Sequence, residues 1–295
     1  MLLSIVTLNF KKSELTLRCI ASLHKAFEKE LNENIIEVII VDNKSPDNSV
    51  VLIQAELKKQ KYKNSILYPN NVNAGFGAGN NFGAQKAKGK YILFLNNDTE
   101  VQDKGILAMA HYLEKHPEIA ILGGQLRNFD GSLQASAGKF YTPFNATLLL
   151  LGMQKYGLLD KSPHTIEEVD WVKGAMFMIR QKIYMQMGGF DQNIFMYTED
   201  MELCYRARQA GYKIYFYPDI HVMHADQGSS NRTFAIINIY KNLLYFYKKH
   251  RSPEEYQYIT WLLTTKAKVL IFLGKLLQKT YLVETYQQAL KAITM

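Results

Sequence analysis

Acidic and amide side chains follow several short apolar segments of the chain, and these residues are the best suited to do chemistry. Asn9, the pair Asp42-Asn43, and Asp98 each close an apolar run or come shortly after one. In open α/β sheets, ligands bind beyond the carboxyl ends of the strands. A carboxylate at such an edge can hold a hard divalent cation, which in turn can hold a diphosphate. Turn chemistry explains any one of these residues, but together they favour a nucleotide-type site.

A second acidic group lies at Glu199, Asp200 and Glu202, where the sequence predicts the start of a helix. Acids at a helix N-terminus are favoured by the helix dipole, so a purely structural role stays open. The functional alternative is a carboxylate that acts as a general base in a pocket.

Two histidines, His221 and His224, are three residues apart after a predicted strand at 212–217. The sequence has no H-E-x-x-H motif and no cysteine near them, which argues against a zinc site. One histidine could join Asp98 around a metal ion bound to a diphosphate. The alternative is an ordinary surface histidine.

A glycine-rich stretch at 75–83 invites comparison with the dinucleotide-binding fingerprint G-x-G-x-x-G. Asn80 and Phe82 stand where that fingerprint needs glycine, and the stretch follows the third predicted strand rather than the first. A dehydrogenase of the Rossmann type is therefore excluded. A flexible loop remains, or a helix start whose free N–H groups face a phosphate or a sugar.

The first 115 residues alternate between predicted strands and helices, which indicates a parallel α/β sheet with helices on both faces. Ser13 is the predicted N-cap of the first helix, Pro46 lies at the start of the second, and a short helix after residue 83 reaches Lys88. The later predicted elements are a strand at 119–126, a hairpin turn at Asp130-Gly131, short helices at 181–187 and 201–209, and long helical patterns at 231–249 and 253–292.

Composition narrows the class of protein. The chain has 295 residues, 47% of them hydrophobic, which excludes a disordered protein. Two cysteines cannot form a disulfide framework, so we expect a reducing compartment. The net charge of +8 favours an anionic partner: nucleic acid, a phosphorylated ligand or a membrane surface. Residues 1–10 are predicted as a strand rather than a signal peptide, and no apolar run is long enough for a transmembrane helix.

The ordered set of motifs resembles the inverting family 2 glycosyltransferases of the GT-A fold, especially the bacterial rhamnosyltransferase-like branch. Each segment is weak alone, but their order and spacing match from about Leu3 to Ser230. The matching segments are SIVTLNF from Ser4, VDN from Val41, NAGF from Asn73, NNFG from Asn80, LNND from Leu95, WVKGA from Trp171, GGFD from Gly188, EDMELCYR from Glu199, AGY from Ala210, and His224 before Gly228-Ser229-Ser230.

The resemblance implies a Rossmann-like mixed α/β sheet as the catalytic domain at 1–230, with a C-terminal helical extension at 231–295. It assigns the general base to Asp200, paired with Glu199, and an Mg²⁺ or Mn²⁺ ion to Asp98 and His224. Asn96-Asn97-Asp98 stands where the family usually has D-x-D, which leaves a single carboxylate. The nucleotide and donor residues by resemblance are Thr7, Asn9, Asp42, Asn43, Asn73, Gly75, Phe76, Asn80, Asn96, Asn97, Trp171 and Gly174.

The implied reaction moves a sugar from dTDP-rhamnose or a UDP-hexose to a glycan acceptor, expected to be lipid-linked, in bacterial surface polysaccharide synthesis. The expected location is cytoplasmic and peripheral, at the inner face of the cell membrane. A sugar nucleotidyltransferase is one alternative, but it needs a basic G-x-G-x-R-type loop that residues 7–12 lack. A non-catalytic nucleotide-sugar-binding or scaffolding subunit is the other. The joint presence of Asp42, Asp98, Asp200 and His224 argues against it.

The C-terminal segment lies outside the specific match. Between positions 241 and 280 it has eight basic and two acidic residues, interleaved with aromatic and aliphatic side chains. Such helices can lie on an anionic bilayer. Packing on the catalytic domain or on a second subunit of a homodimer is the alternative. Nucleic acid is not expected, because no recognised nucleic-acid module accompanies the charge.

Overall fold

The computed structural model describes residues 1–152, 159–225 and 231–294. Contacts within the chain define two units. The first comprises Met1–Gly138, Asp160–Phe195 and Glu199–Ser229, and the second comprises Lys139–Leu159, Met196–Thr198 and Ser230–Met295. The second unit thus includes two earlier segments besides the predicted extension, and the domain boundary at residue 230 stays a prediction.

The long strands are apolar runs whose residues are mostly buried. The strands are β1 (Leu3–Asn9), β2 (Ile36–Asp42), β3 (Ser65–Pro69), β4 (Tyr91–Leu95), β5 (Thr99–Glu100), β6 (Ile119–Arg127), β7 (Leu133–Gln134), β8 (Ala137–Gly138), β9 (Asp160–Lys161), β10 (Glu167–Glu168), β11 (Trp171–Val172), β12 (Met176–Arg180) and β13 (Lys213–His224). The helices are α1 (Ser13–Asn32), α2 (Ser49–Lys59), α3 (Phe76–Ala84), α4 (Gly105–Lys115), α5 (Pro143–Leu150), α6 (Gln181–Gln186), α7 (Glu199–Gln209), α8 (Arg232–His250), α9 (Pro253–Leu276) and α10 (Thr280–Thr294).

The main sheet of the first unit is mixed. Its order is β10-β13-β6-β12-β4-β1-β2-β3, with β5 beside β13 and β7 beside β6. Strands β1 to β4 pair in parallel, as the alternation predicts. Strand β12 then runs antiparallel between β4 and β6, so the sheet as a whole is not the parallel one that periodicity indicates. The mixed sheet agrees with the family resemblance.

The parallel register brings polar residues to one edge of the sheet. Asn9 lies opposite Asp42 in the β1–β2 pair, at the carboxyl end of both strands. Beneath this edge, a buried core joins α1 and α4 to the sheet through side chains such as Ile5, Leu23 and Met109. The site residues are therefore held at the rim of a rigid, apolar layer.

Helix α3 differs from the prediction, because it begins inside the glycine-rich stretch at Phe76 and ends at Ala84 rather than Lys88. Its glycines allow close packing on the sheet. A Cβ atom on Gly79 would lie 2.6 Å from Leu8 Cδ1, and one on Gly83 would lie 2.5 Å from Val6 Cγ1. Gly79 and Gly83 therefore allow the helix to pack closely on the sheet, and they do not form a flexible loop.

Two predicted helix starts are wrong by one to three residues. Helix α1 has Lys12 as its N-cap, with no side-chain capping bond, and Ser13 is already helical. Helix α2 begins at Ser49 rather than at Pro46. A turn delays this helix, because the Asp47 carboxylate accepts a hydrogen bond from the Ser49 N–H.

Strand β13 is longer than predicted, so His221 and His224 lie within it rather than after it. Its pairing with β6 shifts register between Tyr217 and His221. Pro218 falls in this irregularity, which is where proline is tolerated inside a sheet. The irregular segment interrupts the apolar pattern, which explains why the sequence predicts a strand end at residue 217.

In the second unit, the pattern predicted as one helix at 253–292 forms two helices, α9 and α10. The chain turns between them at Gln278, whose φ is +53°, and the Lys279 N–H donates to Gly274 O at 2.7 Å. Helix α9 starts with a capping box formed by Ser252 and Glu255. In the part of the chain that the structure describes, no helix combines the length and apolarity needed to cross a bilayer.

Candidate functional site

A hydrogen-bond network joins the carboxyl ends of β1, β2 and β4. The Asn9 amide donates to Asp42 Oδ2 at 2.7 Å and to Ser45 Oγ at 3.2 Å. The hydroxyl of Thr16 donates to Asn9 Oδ1 at 2.7 Å and accepts from the Asn97 amide at 2.9 Å. Thr16, which was not among the predicted site residues, thus links two of the predicted nucleotide residues, Asn9 and Asn97, and Asn9 in turn holds a third, Asp42.

Asp42 has a turn-forming role in this network. Asp42 is only 1% exposed, and its Oδ1 accepts a hydrogen bond from the Ser45 N–H at 2.8 Å. The turn explanation therefore holds for Asp42. A contact with a nucleotide base would use a second lone pair of the same oxygens, since each carboxylate oxygen can accept more than one hydrogen bond.

The loop before α3 is tied to the end of β2. The Asn43 amide donates to Asn73 Oδ1 at 2.8 Å and to Gly75 O at 3.1 Å. Gly75 has a φ of +95°, and a Cβ atom there would lie 2.0 Å from Phe195 O. Phe76 N–H donates to that same carbonyl at 2.7 Å. Glycine is thus required at position 75 by both conformation and space.

The two asparagines of α3 bond within the protein. Asn80 donates to Phe76 O at 3.0 Å and is almost fully buried. Asn81 donates to Phe190 O at 2.8 Å and accepts from Phe190 N–H at 2.9 Å, while its Oδ1 also accepts from the Tyr184 hydroxyl. This part of the motif anchors α3 to the turn at residues 188–190.

The predicted metal residues are brought together. Asp98 Oδ1 lies 3.2 Å from His224 Nε2, and both side chains are less than one-tenth exposed. The Asn96 amide nitrogen lies 3.4 Å from the same ring nitrogen. On the other side of the ring, His224 Nδ1 contacts Gln134 Oε1 at 2.8 Å. A cavity of about 280 Å³ opens beside Asp98 and is also lined by Arg18 and other residues.

The Asp98 carboxylate oxygen and the His224 ring nitrogen could serve as two of the ligands of an Mg²⁺ or Mn²⁺ ion. Such ions commonly take one or two protein ligands and complete their shell with phosphate oxygens and water. Among the residues that the structure describes, no cluster of three or more His, Cys, Asp or Glu side chains could hold a metal ion. Asp98 and His224 would therefore need a bound diphosphate to complete the site.

The predicted base, Asp200, lies in the first turn of α7. Its Oδ2 accepts from the Gly174 N–H at 2.8 Å, and its Oδ1 accepts from the Met201 N–H at 2.8 Å. The side chain is half-buried, whereas neighbouring Glu199 is 5% exposed. Two backbone donors thus fix the Asp200 carboxylate while part of it remains accessible.

Burial raises the pKa of both acids. It raises the pKa of Glu199 well above the usual range, and the charge of Asp200 raises it further. The pKa of Asp200 is also raised by burial, although the Gly174 and Met201 N–H groups and the Lys173 charge pull it down. Among the described residues, Glu199 Oε2 has no hydrogen-bond partner. Glu199 is therefore the acid of the pair that holds its proton more tightly, and Asp200 the one that ionises.

The base and metal residues are linked through residues 174 and 175. Asn96 N–H donates to Ala175 O at 3.1 Å, next to the glycine that bonds Asp200. A Cβ atom on Gly174 would lie 3.3 Å from Phe76 Cε1, so this glycine also touches the start of α3. The strand end of β4, the start of α3 and the start of α7 thus meet around Gly174.

Two of the predicted nucleotide or donor residues, and the third acid of the 199–202 motif, are buried. Thr7 is fully buried in β1. Trp171 is 6% exposed and packs so closely on Gly138 that a Cβ atom there would lie 2.5 Å from its ring. Glu202 forms a buried ion pair with Arg206 at 2.8 Å, so the third acid of the motif serves the fold.

Besides Thr16, two further residues that act on the site were not predicted from the sequence. Lys173 acts electrostatically on Asp200, and its place beside the cleft-lining Gly174 was a usable signal. Gln134 contacts His224 from a two-residue strand ninety positions away, and nothing in its sequence neighbourhood indicates this.

Comparison with known proteins gives matching relatives over most of the chain. Residues 4–188 match the family described as Glycosyl transferase family 2. Rhamnosyltransferase WbbL of Escherichia coli (strain K12) is 28% identical over 226 residues, which cover 72% of this chain and 83% of the relative. An N-acetylglucosaminyl-diphospho-decaprenol L-rhamnosyltransferase of Mycobacterium tuberculosis (strain CDC 1551 / Oshkosh) is 27% identical over 239 residues, 73% of each chain.

Among solved structures, the mannosyltransferase PcManGT from Pyrobaculum calidifontis, in complex with GDP-Man and Mn²⁺, superposes with a TM-score of 0.60. It shares 13% sequence identity, and the match covers 99% of this chain and 74% of that one. At 13% sequence identity, this structural similarity is evidence for the fold alone. The predicted GT-A fold, with a mixed α/β sheet and C-terminal helices, is confirmed.

Proposed function

Because the chain belongs to glycosyl transferase family 2, we propose that it moves a sugar from a nucleoside diphosphate donor to a hydroxyl of a glycan acceptor by a single, inverting displacement. The observation that carries this proposal is the Asp200 carboxylate, which two main-chain N–H groups hold in place beside Gly174. A single displacement needs one base and no covalent nucleophile. Among the described residues, both cysteines are buried, and burial raises the pKa of Cys19 to about 12.

Asp200 takes the proton from the acceptor hydroxyl as that oxygen attacks the anomeric carbon. A base works best when its pKa approaches the working pH, and burial moves the pKa of Asp200 upward in that direction. Lys173 and the two N–H donors oppose this shift, because they stabilise the ionised carboxylate that can accept the proton. Burial raises the pKa of Glu199 well above its usual range, which makes Glu199 the less suitable acceptor of a proton from the substrate.

Asp98 and His224 would hold a divalent cation, Mg²⁺ or Mn²⁺. Bound there, the cation would supply charge neutralisation for the leaving diphosphate. Asn96 orients this pair from the end of β4, with its amide beside His224 and its N–H on Ala175. The single carboxylate of Asn96-Asn97-Asp98 makes the site depend on the donor diphosphate for its remaining ligands.

The nucleotide lies along the carboxyl ends of β1 and β2 in this proposal. Asn9, Asp42, Asn43 and Asn97 line this edge, and the loop at Asn73 and Gly75 closes one end of it. The relatives' names support a rhamnosyl donor, dTDP-rhamnose, with UDP-hexoses as the alternative. The name of the mycobacterial relative supports a lipid-linked saccharide as acceptor, in the synthesis of a surface polysaccharide.

A turnover assay tests this function. The protein is incubated with Mn²⁺, a panel of dTDP- and UDP-sugars, and a synthetic glycan-diphospholipid acceptor. We expect release of the nucleoside diphosphate and a product whose anomeric configuration is opposite to that of the donor. Release of pyrophosphate would instead indicate a nucleotidyltransferase, and donor binding without turnover on any acceptor would favour a non-catalytic subunit.

An apolar stripe runs along helix α9 in the second unit. Tyr258, Trp261, Val269, Phe272 and Leu276 recur at helical spacing and are exposed, Trp261 by 60% and Phe272 by 66%. The stripe therefore presents uncovered apolar side chains in two groups on one face of the helix, at 258–261 and at 269–276, a pattern typical of an interfacial helix.

Basic residues accompany this stripe. Lys268, Lys275 and Lys279 are exposed on or just after α9. Lys266 differs from the prediction, because it points inward and donates to Leu150 O, the last carbonyl of α5. Burial correspondingly lowers the pKa of Lys266. Many of the aromatics of α8 are likewise core residues, such as Phe246 and Tyr247.

We propose that the α9 stripe lies on an anionic lipid surface at the inner face of the cell membrane. Exposed lysines beside apolar side chains complement anionic headgroups, and each contributes about 1 kcal/mol near such a surface. A lipid-linked acceptor would be presented at the same surface. A second copy of the chain is the competing occupant of the stripe.

A further inference from the structure

Gln134 lies in β7, on the side of His224 that faces away from Asp98. Its amide group contacts three partners: the Asn128 side chain, the His224 carbonyl oxygen and the His224 ring. One glutamine therefore bonds both the main chain and the ring of the same histidine.

The orientation of the Gln134 amide follows from the chemistry of its partners. One terminal atom lies 2.9 Å from His224 O, and a carbonyl oxygen can only accept a hydrogen bond. That atom must therefore be Nε2. It also lies 2.7 Å from Asn128 Oδ1, so both of its protons are used. The atom that faces His224 Nδ1, at 2.8 Å, is the acceptor Oε1.

The proton pattern of the His224 ring is fixed in turn. Since Gln134 Oε1 can only accept, Nδ1 of His224 must carry the proton it donates. In the neutral ring the lone pair is then on Nε2, which lies 3.2 Å from Asp98 Oδ1. Asn96 Nδ2 lies 3.4 Å from the same nitrogen. Two electron-pair donors, a ring nitrogen and a carboxylate oxygen, thus face each other across a gap that a cation would bridge.

We infer that Gln134 is a positioning residue, which holds the proton of the neutral His224 ring on Nδ1 and so leaves Nε2, the nitrogen beside Asp98, as the one that can bind the cation. The cation itself rests on the proposed function, whereas the tautomer rests on hydrogen bonds alone. Partners of this kind fix the ring and raise ligand basicity, and their loss typically weakens metal binding about 10–100-fold.

The test uses the full chain with ¹⁵N-labelled histidine, at a pH above the ordinary histidine pKa. In the wild type, we expect a pyrrole-type ¹⁵N shift at Nδ1 and a pyridine-type shift at Nε2 of His224, assigned with His224→Gln. In Gln134→Leu, the ring is released and Nε2 is expected to gain the proton. Asn128→Ala is the matched control, because it removes another bond of the same amide and leaves the ring contact in place.

A second readout is the affinity for Mn²⁺ in the presence of UDP or dTDP, followed by the electron paramagnetic resonance signal of free Mn²⁺. We expect Gln134→Leu to bind about 10–100-fold more weakly, and Asn128→Ala to stay within a few-fold of wild type. A persistent Nδ1–H tautomer in Gln134→Leu, or an equal loss of Mn²⁺ affinity in both variants, would overturn the inference. Absence of Mn²⁺ binding in the wild type would contradict the proposed cation site, while the tautomer measurement would still decide the role of Gln134.

Discussion

The main-chain N–H of Gly174 donates a 2.8 Å hydrogen bond to the carboxylate of Asp200. This contact joins the segment between β11 and β12 to the first turn of α7. Because the donor belongs to the backbone, every amino acid except proline keeps it at position 174. The backbone therefore sets the orientation of the Asp200 carboxylate. A substitution of Asp200 itself can change its acid–base chemistry while the segment that holds it stays in place.

Glu199→Gln is expected to stabilise the protein at neutral and alkaline pH. Burial raises the folded-state pKa of Glu199, so the folded state resists losing this proton. A raised folded pKa contributes stability that is complete below the unfolded pKa, near 4.3 for glutamate, and that is lost as pH rises through the folded value. The neutral amide of Gln does not suffer this loss.

Thermal unfolding across pH measures this effect. We expect Glu199→Gln to melt at a higher temperature than wild type above the raised pKa, by about 2–4 °C per kcal/mol in a domain of this size. The two curves should converge below about pH 4.3, where both side chains are neutral. A constant difference at all pH values would mean that Glu199 acts through packing instead.

Asp42→Ala is expected to weaken nucleotide binding. A carboxylate at the end of β2 can accept a hydrogen bond from a pyrimidine base, and such a bond to a charged group is worth about 1.5–3 kcal/mol, which is about 10- to 100-fold in affinity. Isothermal titration with UDP and dTDP measures it. Ser45→Ala is the control, since it disturbs the same network but leaves the Asp42 carboxylate and its bond from the Ser45 N–H. Equal losses in both variants would assign Asp42 to the turn alone.

Removal of divalent metal is expected to abolish tight binding of nucleoside diphosphates. In the proposed site Asp98 and His224 would supply two ligands and the diphosphate the others, so metal and nucleotide are expected to bind together. Calorimetry with Mn²⁺ and with EDTA should show this dependence, and Asp98→Asn should resemble EDTA treatment. Asp103→Asn, at an exposed acid outside the site, should not. Unchanged affinity in EDTA would contradict the metal assignment.

Trp261→Ser combined with Phe272→Ser is expected to release the protein from anionic membranes. Both side chains are exposed in the α9 stripe. Co-sedimentation with vesicles of phosphatidylglycerol and phosphatidylcholine at low salt measures binding. The control is Val51→Ser with Leu52→Ser, which removes two exposed apolar side chains from α2. Two results together would contradict membrane binding: wild-type protein stays in the supernatant, and it forms a dimer that the α9 variant does not form. The stripe would then be the contact surface for a second copy of the chain.

The strand ends of the site were predictable because they depend on local sequence. Apolar runs closed by Asn9, Asp42 or Asn96 specify buried strands, and parallel pairing brings their ends to one edge. The start of α3 was less predictable. Glycines disfavour helix in isolation, and only the close approach of Gly79 and Gly83 to the sheet explains why they are helical here.

Other features depend on partners far along the chain. The antiparallel direction of β12 is set by its neighbours β4 and β6, and its own sequence does not encode it. The role of Gln134 requires His224, ninety residues later, inside a strand that Pro218 interrupts. Glu199 and Asp200 are adjacent acids in the sequence, and it is the deeper burial of Glu199 together with the N–H donors on Asp200 that separates their pKa values.

The rate of sugar transfer by Asp200→Asn, measured with saturating acceptor together with donor affinity in the same variant, is the most direct test of the mechanism. The amide cannot take the acceptor proton, and it loses one of two backbone hydrogen bonds, a cost of about 0.5–1.5 kcal/mol that the fold should tolerate. We predict a loss of about 10²–10⁴-fold in transfer rate, with the donor dissociation constant within a few-fold of wild type. Near-wild-type turnover would contradict Asp200 as the general base, and with it the single-displacement account.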